Sequence, residues 1–167
     1  MRETLTQGDV EKIEQEIEYR KLVVRKEAIE AVKEARSHGD LSENFEYYAA
    51  KKDKNQNESR IRYLERMLKT ARVISDQSRD DEVGLNNTVE IYIPEDDETE
   101  VYRIVTSIRG DSLHNKISIE SPLGKALLGH KEGDHVQVQV SDSYSYEVII
   151  RSIVNTQDEG SDSIRAF

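Results

Sequence analysis

The chain has 167 residues, 35% hydrophobic and 35% charged, which is polar for a single compact globule and implies one extended, solvated part. It contains no cysteine, which excludes a disulfide framework, a thiolate zinc site and a thiol nucleophile. The net charge of −10 divides unevenly: residues 1–75 carry 16 Lys and Arg against 15 Asp and Glu, and residues 76–167 carry 8 against 19, so two parts with different jobs are expected.

Met1-Arg2-Glu3-Thr4 opens no apolar targeting segment, and no stretch approaches 18 apolar residues. The expectation is a cytoplasmic protein that makes no use of a membrane. The first element runs from about Asp9 to Ser37, with Val10, Ile13, Ile17, Val24, Ala28, Ala31 and Ala35 mostly three, four or seven apart. This spacing predicts a helix with Asp9 as N-cap and Gly39 as its stop. A second helix follows, with Tyr47, Ala50, Lys54, Asn57, Ile61, Leu64, Leu68 and Ala71 stepping by alternating threes and fours. That is a heptad seam with two polar interruptions. The short break makes the two helices antiparallel neighbours, a coiled-coil hairpin over residues 1–75.

Residues 76–87, rich in Asp, Ser, Asn and Gly, read as a linker. The period then changes to two, with strands expected at 89–93, 101–105, 116–120, 136–140 and 146–150. Between the third and fourth, Ser121 as N-cap, Pro122 at the first helical position and Gly129 as the stop mark a short helix. The fold class is therefore α+β: a helical hairpin, then a small, mostly antiparallel sheet domain with one short helix over 88–154. Residues 155–167 form a polar acidic tail expected to be loose.

The break itself, Gly39-Asp40-Leu41-Ser42-Glu43-Asn44, places two carboxylates three residues apart. A helix rises about 1.5 Å per residue, so an arm of roughly 30 residues holds them about 45 Å from its base. As structure, the spacing resembles a capping box, with acid favourable at a helix start. As chemistry, Asp40 and Glu43 suit a hard cation such as Mg²⁺, which takes oxygen ligands. Two carboxylates hold such an ion weakly, so no tight binding by the free protein is expected, and a partner's acidic site would complete the coordination. On the second helix Lys51, Arg62 and Lys69 share one azimuth, with Lys54 and Arg66 within about 60° of it. That stripe is either a solvated face paired with Glu58 and Glu65 or a track for a nucleic-acid backbone.

The tip sequence, with Glu46-Tyr47, Ala49-Ala50 and Glu58-Ser59-Arg60-Ile61 after it, closely resembles the hairpin of the bacterial Gre transcription elongation factors. Ser121-Pro122-Leu123-Gly124-Lys125-Ala126-Leu127-Leu128-Gly129, followed by Gly133-Asp134, resembles the C-terminal domain of the same family, and the likeness spans nearly the whole chain. The resemblance implies an antiparallel coiled coil and an FKBP-like second domain that docks on RNA polymerase. It also implies that the hairpin enters the polymerase secondary channel. There Asp40 and Glu43 would assist the second Mg²⁺ of the polymerase in hydrolysing the 3′ end of a backtracked transcript. Lys51 would approach the RNA 3′ end, with Lys54 and Arg62 along the same stripe. Ser121, Pro122, Leu123 and Gly124 would fall in the docking region, helix capping being the plainer account of them. Phe45 stands where the family usually has a small residue, and Ser59 replaces a common glycine.

Three other readings compete. A secondary-channel regulator that does not promote cleavage would share the fold but not need both acids. A prolyl isomerase would need an aromatic pocket, which Tyr92, Tyr102, Tyr144 and Tyr146 would have to supply. A stand-alone metal enzyme would need a ligand set that the scattered histidines 38, 114, 130 and 135 do not form. The expected protein is no enzyme by itself, and because the seam is satisfied within one hairpin, it is a monomer when free.

Overall fold

The computed structural model describes residues 2–39, 43–158 and 163–165. The chain forms two compact units, one spanning Asp9–Arg72 and the other built from Thr4–Gly8 and the residues from Val73 onward.

In the first unit the leading arm is two helices, α1 (Gln7–Tyr19) and α2 (Arg25–Ser37), joined through one π turn at Arg20–Val24. The returning arm is a single helix, α3 (Phe45–Thr70). Cross-arm ion pairs Lys21–Glu65 and Arg25–Glu58 fix the antiparallel sense. Ile13, Ile17 and Ala35 are buried on the leading arm and Tyr47, Ile61, Leu64 and Met67 on the returning one, the apolar stripe that a heptad pattern produces. Helix and hairpin are as expected, with three corrections. The leading arm is not one uninterrupted α-helix. Its start lies at Gln7, so Asp9 is not the N-cap but sits buried in the first turn, where acid meets the positive end of the helix dipole. Val32 is half-buried and Ala31 exposed, because the wider π turn retards the phase of every residue beyond it. Gly39 has a φ of +131° just past the helix end, a conformation that suits glycine.

In the second unit β1 (Thr4–Thr6) pairs with β2 (Arg72–Ile74) in a two-stranded sheet. The main sheet comprises β3 (Thr88–Ile93), β4 (Glu98–Val105), β5 (Lys116–Ser118), β6 (His135–Gln139) and β7 (Ser145–Val154), in the order β5-β4-β3-β7-β6. The β3–β4, β3–β7 and β6–β7 pairs are antiparallel and β4–β5 is parallel, so the sheet is mixed. Alternate residues Val89 and Ile91, Val136 and Val138, Val148 and Ile150 face one core with Ile104 and Leu127, as period-two patterning requires. Leu127 comes from α4 (Pro122–Leu127), the short helix expected there.

Two segments differ from their expected character. Val83 and Leu85, within the stretch 76–87 taken as linker, lie in the core, and Val83 exchanges backbone hydrogen bonds with His130 and Gly129. A polar composition hid the two apolar residues that do the packing. At the start of the tail, Asn87 Nδ2 donates to Asn155 Oδ1 at 2.8 Å. The buried Arg109 guanidinium meets Asp158 at 2.6 and 2.9 Å, so residues 155–158 are tied down.

Candidate functional site

Of the tip carboxylates, Asp40 lies outside the described residues, with Leu41 and Ser42. Glu43 is exposed, and directly after it Asn44 caps α3, its Oδ1 accepting from the Tyr47 N–H at 3.0 Å. Asn44 Nδ2 also donates to the Ala35 carbonyl at 2.5 Å, so one side chain closes both arms. The capping role that the spacing offered to the acids belongs to Asn44, and Glu43 stands one residue ahead of it. The signal was available: Asn is among the preferred N-caps, but two nearby acids competed for the reading.

A hollow of about 440 Å³ opens at the tip, lined by His38, Glu43, Asn44, Phe45 and Glu46. Phe45 is 86% exposed, an apolar ring offered to whatever meets the tip. His38 Nδ1 lies 2.8 Å from Glu46 Oε2, and that carboxylate raises the imidazole pKa above its ordinary value. The tip thus presents hard oxygen donors and one imidazole whose cationic form Glu46 favours. No group of three or more side chains able to hold a metal occurs among the described residues. The tip donors are of the class that magnesium takes, in a number that leaves coordination to be completed from elsewhere.

Along α3, Lys51, Arg62, Arg66 and Lys69 are exposed and Lys54 is half-buried. Lys51 Nζ lies 6.0 Å from the centre of the Tyr47 ring, and Arg62 donates to Ser59 Oγ at 3.0 Å. The acids expected to pair with this stripe turn to the other arm: Glu58 takes Arg25 in a two-point contact at 2.8 and 2.9 Å, and Glu65 takes Lys21 at 2.6 Å. That leaves the stripe better suited to phosphate than a face of intrahelical ion pairs would be.

In the second unit, Ser121 Oγ accepts from the Gly124 N–H at 3.1 Å and donates to the Ser118 carbonyl at 2.6 Å. Pro122 occupies the first helical turn. A Cβ on Gly124 would stand 2.0 Å from the Ser118 carbonyl oxygen, so only glycine fits. Ser121 and Gly124 therefore have structural duties and Leu123 packs on the core, whereas Pro122, Lys125, Leu128 and Gly129 are the exposed residues of the segment. Tyr102 and Tyr146 are half-buried, and burial, the Glu100 carboxylate and the neighbouring Tyr146 push the Tyr102 hydroxyl up to about 12. Tyr92 donates to Asp97 Oδ1 at 2.7 Å and carries Arg151 4.7 Å above its ring. The Tyr144 and Tyr146 rings lie tilted by 30° with their centres 6.1 Å apart.

A hairpin with an acidic break and a small sheet domain with a Ser-Pro-Leu-Gly helix match two family models: Transcription elongation factor, N-terminal, over residues 3–73, and Transcription elongation factor, GreA/GreB, C-term, over residues 77–154. The chain belongs to the GreA/GreB family of transcription elongation factors. Within that family it is most like GreA. It is 48% identical to the transcription elongation factor GreA of Thermoanaerobacter pseudethanolicus, covering 81% of this chain and 87% of the relative. It is 44% identical to GreA of Streptococcus gordonii over 92% and 96%, and 46% identical to GreA of Bacillus subtilis over 81% and 86%. Among solved structures, GreA factor homolog 1 of Thermus thermophilus is similar at 29% identity with a TM-score of 0.43, over 92% of this chain and 99% of that one.

Proposed function

We propose that this protein binds RNA polymerase, inserts its hairpin into the secondary channel and stimulates the polymerase's own cleavage of the 3′ end of backtracked RNA. The observation that carries the reading is the exposed Glu43 at the hairpin break, relieved of any capping duty by Asn44. In this reading Asp40 and Glu43 supply oxygen ligands to a Mg²⁺ shared with the polymerase active site and orient the attacking water. Such an ion would be one of a pair with the polymerase's own, the pair supplying activation of the water at one ion and stabilisation of the leaving oxygen at the other. Lys51, Lys54 and Arg62 hold the RNA backbone near its 3′ end through charge. Pro122 and the rest of 121–124 help to seat the second unit on the polymerase. The protein performs no chemistry alone and works where bacterial RNA polymerase works, in the cytoplasm.

The test is transcript cleavage in stalled, backtracked complexes with cognate polymerase and Mg²⁺. Faster release of short 3′ fragments is expected with wild-type protein and none with Asp40→Ala plus Glu43→Ala, although both bind. Equal cleavage by the two proteins would defeat the carboxylate role. Binding without acceleration by wild type would identify a channel regulator that does not promote cleavage.

A further inference from the structure

Midway along the hairpin the seam is polar. Asn57, 4% exposed, stands where the heptad asks for an aliphatic side chain, and Arg60 beside it is also buried. Facing them, the leading arm departs from α-helical geometry for one turn, the Arg25 N–H reaching back five residues to the Arg20 carbonyl. The two irregularities meet. Asn57 Nδ2 donates to that same carbonyl at 3.3 Å, and Arg20 Nη1 donates to Asn57 Oδ1 at 3.0 Å. Arg20 Nε and Arg60 Nε share Glu16 Oε2 at 2.7 and 2.8 Å, and Arg60 Nη2 takes Glu16 Oε1 at 3.2 Å.

A π turn is a helix holding one extra residue, rare in general and frequent at functional sites. Annealing it into a regular α-helix would rotate everything beyond it by about 100°, one residue's share of the turn. That rotation would carry the half-buried Ala28 and Val32 and the buried Ala35 off the seam and bring Glu27, Ala31 and Glu34 toward it, so the distal apolar residues favour the π phase. Burial of the turn itself does not explain the extra residue, since Leu22 in it is 65% exposed. At the turn the two phases are distinguished by the polar layer, which gives the Arg20 carbonyl, already accepting from the Arg25 N–H, a second donor. Buried polar layers add little net stability, and their best-attested use is to select one register.

We propose that Asn57, with Glu16, Arg20 and Arg60, is a positioning residue: it holds the π turn open, and the turn sets the rotation at which the distal arm presents Glu43 to the partner's reaction centre. The inference rests on the cleavage reading above. Its distinctive consequence is a rescue from the other arm. Asn57→Leu should keep helix content and polymerase binding but lower the saturating cleavage rate about tenfold or more, since misplacement by about 1 Å can cost a hundredfold. Adding deletion of Leu22 to Asn57→Leu removes the spare residue, so that a regular helix restores the distal phase and most of the rate. Deletion of Leu22 alone should fold and act like wild type.

A full rate with Asn57→Leu, a loss that the deletion does not relieve, or collapse of the hairpin on deletion of Leu22 alone would each overturn the proposal. Spin labels on Lys33→Cys and Lys69→Cys, clean sites in a chain without cysteine, report the rotation independently of cleavage. The interlabel distance should change in Asn57→Leu and return in the double variant. An unchanged distance defeats the positioning role. A changed distance without any wild-type cleavage leaves the device standing and defeats only the functional reading.

Discussion

The hairpin and the sheet domain are held by different physics. The sheet domain buries Val83, Val89, Ile91, Ile104, Leu127, Val138, Val148 and Ile150 almost completely, and its stability follows from apolar area removed from water. The hairpin buries few aliphatic side chains and joins its arms instead through Glu16–Arg60, Arg20–Asn57, Lys21–Glu65 and Arg25–Glu58. Apolar contact is non-directional and tolerates sliding, whereas each polar pair names one partner. A two-helix arm that must present its tip in one orientation gains more from the second kind of contact, even at modest stability.

The largest losses of stability are expected in the sheet domain. Gly124→Ala would drive a methyl into the Ser118 carbonyl, and Ile91→Ala would empty a fully buried site. Each should cost about 3 kcal/mol or more, read as a fall in the melting midpoint of the sheet domain. A shift under a degree for Gly124→Ala would show that α4 can move aside.

Glu16→Ala tests the polar arm. It removes the carboxylate facing the buried Arg60, and a cost of about 2 kcal/mol is expected, below the usual range for breaking a buried pair because Glu16 is partly solvated. Burial pushes the Glu16 carboxyl up, but hydrogen bonds from Arg60 and Arg20 together outweigh it, and the pKa is held below its ordinary 4.5. The folded value being depressed, the stabilisation is present above pH 4.5 and lost as pH falls through the lowered value. Hairpin melting followed from pH 6 to 3 should show that loss in wild type and little of it in Glu16→Ala.

Asn44→Ala removes the cap and the link to Ala35 and should cost about 1 kcal/mol, with amide exchange quickening first at the start of α3. The smallest effect is at His38. Its pKa is raised by Glu46, so the contact stabilises fully below the ordinary 6.5 and fades as pH rises through the raised value. An NMR titration should place the wild-type imidazole above 6.5 and the imidazole of Glu46→Gln lower, toward 6.5. Identical titrations would mean that the contact does not persist in solution.

Much of this architecture was legible from local spacing. Heptad steps from Tyr47 to Ala71 marked α3, alternation marked the five main strands, and Ser121-Pro122 with Gly129 bounded α4 to within a residue or two. The side-chain period follows directly from backbone geometry, 3.6 against 2, so sequence alone determined the α+β class and the order of the long helices and main-sheet strands, whereas the short strands β1 and β2, inside the stretch 1–75 expected to be hairpin, carried no period to read. The acidic break was equally plain as a composition, although Asp40 falls outside the described residues and Glu43 alone is seen in place. Only the tertiary structure decided who meets whom. Asn44 rather than an acid caps α3, because the cap must also reach Ala35 across the break. Glu58 and Glu65 pair with the opposite arm, because a long side chain reaches a facing helix as readily as its own. Val83 and Leu85 enter the core from a polar stretch, and the π turn exists because a carbonyl on one arm finds an amide on the other 37 residues away. Contacts of that range leave no period in the sequence, so nothing local could have announced them.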